Sequence, residues 1–149
     1  MLNRLKGVFA SFQKHNVKYV VIGGVAAVLH GVPRATFDLD ILIEATKENA
    51  ERLLAALHDA KFGTASLTDA TDLLAHEITV FKDVVRIDVQ TSTPGLSFDD
   101  AWNGRSVREY EGQTFYVVSK KGLIASKTAA GRPVDLQDVQ ALIASTGKR

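Results

Sequence analysis

The sequence predicts an α+β domain, and three observations carry that expectation. A β-branched run at 19–22 stops at Gly23-Gly24 and resumes as the alanine-containing stretch 25–29, a strand, a glycine turn and a helix. Two alternating segments, 77–81 and 84–90, stand on either side of Lys82-Asp83, the pattern of an antiparallel hairpin. Helical periodicity with start and stop signals recurs at both ends of the chain.

Taken in order, Leu2, Leu5, Phe9 and Phe12 recur at helical spacing, so residues 2–15 read as an amphipathic helix ending near Asn16. After the 19–29 unit and the break at Val32-Pro33, residues 37–44 read as a second strand. Leu39, Ile41 and Ile43 lie on one of its faces and Asp38, Asp40 and Leu42 on the other. Thr46 is placed to cap a helix to about Ala60, with Glu48 and Asn49 in its first turn. In the hairpin, Val85, Ile87 and Val89 share one face and Arg86, Asp88 and Gln90 the other. A loop at Thr93-Pro94-Gly95 leads to a short helical turn at 98–102 and to strands at 106–110 and 114–118, turned by Glu111-Gly112. Ser119 caps a helix to about Ala130, and Pro133 starts a last helix through Ile143, followed by a polar tail expected to fray.

Length and composition bound the function. The 149 residues fit one domain, 1–149, with a core of its own. Eighteen basic against seventeen acidic residues give a net charge of +1, so any nucleic-acid contact must be local. Without cysteine there is no disulfide, thiolate metal site or cysteine nucleophile, and the composition suits a reducing cytosol. Arg4, Lys6 and Lys14 interrupt any signal-peptide core, and no charge-free run reaches membrane-spanning length, so a cytoplasmic protein without a membrane partner is expected.

Chemistry concentrates in the acidic strand. Asp38 and Asp40 project from one side of an extended segment roughly 6–7 Å apart at the backbone, close enough to converge on one cation. Paired carboxylates raise a pKa or call for a counter-cation, and oxygen ligands favour Mg²⁺ over zinc. The competing reading is a strand that ends in solvent. Gly23-Gly24 would let a phosphate approach backbone N–H groups, although tight packing of helix on strand needs the same glycines. Asp88 joins the pair if its strand lies beside theirs; otherwise it is a sheet-face aspartate paired with Arg86 or a nearby lysine. His30 reads as a helix-end residue, and no serine has the neighbours of a hydrolase triad.

The segment from Gly23 through Arg34-Ala35-Thr36-Phe37-Asp38-Leu39-Asp40, with Ile87-Asp88-Val89, Lys127 and Arg132-Pro133-Val134-Asp135-Leu136-Gln137-Asp138, resembles the nucleotidyltransferase superfamily. Within it, the ordered set is similar to the AbiEii/MenT-like toxin branch, from which it departs at Val134, where relatives often carry lysine. The resemblance implies a polymerase-beta-like fold, a mixed central sheet flanked by helices. It also implies Asp38, Asp40 and Asp88 as catalytic residues holding Mg²⁺ or Mn²⁺, and Gly23, Gly24, Arg34, Thr36 and Lys127 as nucleotide-binding residues. Asp135 and Asp138, three apart on one helical face, would orient Lys127 or Arg34, the alternative being that they simply favour the N-terminal end of the last helix. The implied substrate is an NTP and the implied acceptor a hydroxyl of tRNA or protein, with an antitoxin as partner if the chain is a toxin. An antibiotic-type small-molecule transferase and an inactive nucleotide-binding module are the alternatives.

Overall fold

The computed structural model describes residues 1–145. Helix α1, Leu2–Lys14, buries Leu5, Val8, Phe9 and Phe12 on one stripe, as its periodicity requires. Strand β1, Tyr19–Ile22, is buried along its whole length and passes without a loop into helix α2, Gly23–Leu29, because Gly23 adopts φ +67°. Strand β2, Asp38–Ile43, starts one residue later than its alternation suggests, and Phe37 stands 77% exposed ahead of it. Helix α3, Lys47–Asp59, is capped by Thr46, whose side chain accepts from the Asn49 N–H at 3.2 Å.

A 3-10 turn at Gly63–Leu67 and the short helix α4, Ala70–Leu74, follow. Strands β3, Ile78–Lys82, and β4, Arg86–Gln90, form the expected hairpin, but Lys82 belongs to β3 and pairs with Arg86, so the turn lies at 83–85 rather than at Lys82-Asp83. Helix α5, Phe98–Asn103, precedes strands β5, Ser106–Tyr110, and β6, Gln113–Val117. Ser119 caps helix α6, Lys120–Ala130, which Gly131 ends at φ 68°, and Pro133 opens helix α7, Pro133–Ala144. Most of the polar tail lies beyond residue 145, outside the described residues.

The strands form one mixed sheet in the order β3-β4-β2-β1-β6-β5. β2 runs antiparallel to β1 and parallel to β4, and β1 runs parallel to β6. One face carries the core: Tyr19, Leu39, Ile41, Ile43 and Ile87 are fully buried there. Helix α1 covers this face, with Phe9 stacked on Phe115 at 4.5 Å between ring centroids and Phe12 against Tyr19 at 4.8 Å. Each such apolar side chain contributes about 1.5–3 kcal/mol by leaving water. On the opposite face Val20, Ile22 and Leu42 are also buried, and beside them the polar residues Asp38, Asp40, Arg86 and Asp88 of β2 and β4 are less covered.

Asn49 ties α3 to the end of β2. Its Oδ1 accepts from the Lys18 N–H at 2.8 Å, and its Nδ2 donates to the carbonyls of Lys18 at 2.9 Å and Glu44 at 3.0 Å, all with the side chain buried. Asn49→Ala leaves the Lys18 N–H unpaired, while the Lys18 and Glu44 carbonyls still accept from the Glu44 N–H at 3.3 Å and the Thr46 N–H at 3.0 Å, and a urea melt is expected to register a loss of roughly 1–3 kcal/mol. A loss below 0.5 kcal/mol on the same measurement contradicts that role.

Candidate active site

The parallel pairing of β2 with β4 sets Asp40 beside Asp88 and Asp38 beside Arg86. Because alternate residues of neighbouring strands share a face, the three carboxylates emerge together on the side away from α1. On the other flank of Asp40 lies Ile22, the last residue of β1, and the chain then turns at Gly23. A Cβ on Gly23 would sit 2.9 Å from the Asp40 Cγ and overlap its Oδ2, so only glycine admits this aspartate. A Cβ on Gly24 would lie 2.7 Å from Thr36 Oγ1 and 3.1 Å from Arg34 Nη2. The paired glycines therefore bring Asp40 against one side of the turn and Thr36 and Arg34 against the other.

Charge at the centre is unevenly balanced. Burial, then the neighbouring Asp88 and Asp38, push the Asp40 carboxyl up to about 7, with Lys127 acting in the opposite sense. Arg86 forks onto Asp88 through Nε at 2.9 Å and Nη2 at 3.3 Å, and its Nε lies 3.8 Å from Asp38 Oδ2. Lys127 is 6% exposed, with Nζ 2.8 Å from Asp138 Oδ2 and 3.5 Å from Asp135 Oδ1. Asp138 also receives Arg34 Nε at 3.0 Å and Nη2 at 2.8 Å. Burial raises the Asp138 carboxyl, but the Arg34 and Lys127 hydrogen bonds outweigh it and hold the group below its usual range. Asp135 is held low in the same way: Arg132 donates to it through Nε at 2.7 Å and Nη2 at 3.1 Å.

These groups surround a cleft of about 490 Å³ whose wall includes Gly23, Asp38, Asp40, Asp88, Lys127 and Asp135. Arg34 and Thr36 line a separate hollow of about 300 Å³ beside Phe37 and Met1, and Asp138 stands behind Lys127, joining it to Arg34. His30 is the C-cap of α2, its Nε2 2.7 Å from the Val118 carbonyl oxygen. Arg132 of the wall belongs to the quoted C-terminal motif, while wall residues to which the sequence assigned no role in the site include Ile78, Gln90, Ser126 and the turn at Thr93 and Pro94. Their signal was faint, because a loop residue and a strand-edge side chain carry no periodicity that marks a cleft.

Donor chemistry at the centre fits a hard divalent cation. The set is all oxygen, two carboxylates stand in register, and Asp40 is electrostatically burdened by its neighbours. Among the described residues no three His, Asp or Glu side chains already form a group that could hold a metal ion. Asp38 and Asp88 are engaged instead with the Arg86 guanidinium.

No curated protein matches the sequence. Two solved structures share the fold. TM1012 of Thermotoga maritima, a proposed nucleotidyltransferase, is 16% identical with a TM-score of 0.58, covering 99% of this chain and 93% of its own. The lincosamide antibiotic adenylyltransferase LnuA, in its lincomycin-bound form, is 15% identical with a TM-score of 0.61, covering 98% of each chain. At sequence level, residues 3–146 match one family model, and the chain belongs to that family, described as nucleotidyltransferase of unknown function (DUF6036).

Proposed function

We propose that the chain transfers the NMP part of a nucleoside triphosphate to a hydroxyl of RNA, in particular tRNA, or of a protein, with Mg²⁺ or Mn²⁺ as cofactor. The observation that carries this reading is the register of Asp40 with Asp88, with Asp38 two residues along the same strand, on the wall of a cleft that begins at Gly23. Asp38, Asp40 and Asp88 are the residues that would hold the divalent ion. Bound there, it would neutralise the phosphate oxygens and the charge that develops on the leaving pyrophosphate.

The chain's own residues supply the rest. The triphosphate lies along the backbone at Gly23-Gly24, where the missing side chains allow close approach. Lys127, fixed by Asp138 and Asp135, presents a buried positive charge to the cleft. Arg34 and Thr36 act from behind the glycine turn, Arg34 sharing Asp138 with Lys127. The acceptor oxygen attacks the α-phosphorus, its proton passes to Asp88, and the bond to the bridging β-oxygen breaks to release pyrophosphate. Because positioning and charge compensation provide most of the rate in such transfers, no covalent nucleophile is required.

A toxin role of the AbiEii/MenT-like kind, with an antitoxin partner, rests on the motif order alone. A small-molecule acceptor is the second reading, favoured by the net charge of +1 and by a likeness of fold to LnuA, itself an antibiotic adenylyltransferase. Incubation with Mg²⁺, α-labelled NTPs and total RNA or lysate is expected to give acid-precipitable label that depends on Asp40. Label found only in the dialysable fraction selects the small-molecule reading. No label in either fraction sinks both and leaves an inactive nucleotide-binding module.

A further inference from the structure

Arg86 stands in the cleft beside the carboxylates to which the proposed reaction assigns the divalent ion. The β2–β4 register places it next to Asp38, and the i, i+2 spacing on β4 puts its side chain on the same face as Asp88. Its guanidinium makes a two-point fork with Asp88 and leans on Asp38. The other cations of the cleft wall are engaged elsewhere, Lys127 with Asp135 and Asp138 and Arg132 with Asp135. Arg86 is also held less firmly than Lys127, its side chain being 42% exposed against 7%. A guanidinium and a divalent ion draw on the same carboxylate lone pairs, so the two compete.

We infer that Arg86 is a displaceable internal counter-cation: it masks Asp88 and Asp38 in the nucleotide-free chain and swings onto the triphosphate oxygens when nucleotide and metal arrive together. The inference rests on the metal-dependent transferase reading. It makes metal uptake contingent on nucleotide. Without the triphosphate, a divalent ion must break the fork and share the site with a positive charge. With it, the guanidinium finds phosphate oxygens, whose geometry it matches in the same bidentate way. The carboxylates are then released.

Mn²⁺ titrated into the full chain, with free ion followed by its electron paramagnetic resonance signal, tests this directly. Arg86→Ala is expected to bind Mn²⁺ without nucleotide about tenfold or more tightly than the unmodified chain, because a unit charge a few ångströms away has been removed. The same variant should bind Mn²⁺ with a non-hydrolysable ATP analogue more weakly than the unmodified chain. Arg86→Lys keeps the charge and loses the fork, so its nucleotide-free Mn²⁺ affinity should fall between the two; it carries the comparison if the alanine variant does not give the native circular dichroism spectrum. If Mn²⁺ binds the unmodified chain with nucleotide, while neither variant binds it more tightly without nucleotide, this inference falls and the transferase reading stands. If no form binds Mn²⁺ with or without the analogue, both fall.

Discussion

Asp40→Asn is expected to abolish nucleotide transfer while making the metal-free protein more stable. The carboxylate sits between Asp88 in register and Asp38 on its own strand, largely desolvated, and its proton affinity is raised to about 7. In the proposed reaction, removing it takes away a ligand of the divalent ion, at an expected cost of roughly a thousandfold or more in rate. It also removes a partly buried like charge, which stabilises the fold by roughly 1–3 kcal/mol at neutral pH. The melting midpoint in EDTA should therefore rise by about 3–8 °C. A variant that is inactive and also less stable would mean that Asp40 has structural partners beyond those described.

The sign of the pH dependence follows from the same group. A carboxyl whose folded pKa is raised binds its proton more tightly folded than unfolded, so stability falls as pH rises between the unfolded value of 3.8 and the folded value of about 7. Above that window its effect is constant. Asp135 and Asp138 are shifted downward, so their contribution is lost only as pH falls below the ordinary carboxylate range. In EDTA, melting midpoints of the unmodified chain should decline from pH 4.5 to 7.5, and Asp40→Asn should flatten that decline.

Asp138→Ala is expected to destabilise the protein most. One carboxylate, 2% exposed, accepts from Arg34 and Lys127, residues of two distant parts of the chain, and without it the buried ammonium of Lys127 keeps, among the described residues, the longer 3.5 Å ion pair with Asp135. Breaking one side of a buried ion pair costs about 3–5 kcal/mol, chiefly through the charge left behind. That corresponds to a fall in melting temperature on the order of 10 °C or more. Adding Lys127→Met should restore part of the loss, since it removes the stranded charge. A fall of less than 2 °C for the single variant would show that Lys127 is solvated well enough without Asp138.

Much of this arrangement was legible in the residues. The alternation of 38–43 set the two aspartates on one face and Leu39, Ile41 and Ile43 on the other, and burial follows that division except at Leu42, which is buried on the aspartate face. Helix starts at Thr46, Ser119 and Pro133 were readable because each cap has a local chemical cause. The neighbour relation of Asp40 and Asp88 was not, since parallel pairing across the intervening helices leaves no short-range mark; the ordered motif supplied it by resemblance, at the level of the superfamily. Elements as short as Gly63–Leu67 and Ala70–Leu74 span too few turns to show a period. Nor could helical spacing disclose that Lys127 is buried, because that depends on where α7 docks.

The strands that bear Asp40 and Asp88 are interior members of the sheet, and their reverse sides, Leu39, Ile41, Ile87 and Val89, are sealed into the core. Thr93 and Pro94, by contrast, come from the segment between β4 and α5, and Arg132 from the one between α6 and α7. In the proposed reaction, bond-making and the shaping of the cleft rim would thus belong to separable parts of the molecule. Mutational drift at the rim can re-tailor what enters while leaving the bond-making centre intact, a division of labour that suits descendants of one ancestor to many acceptors.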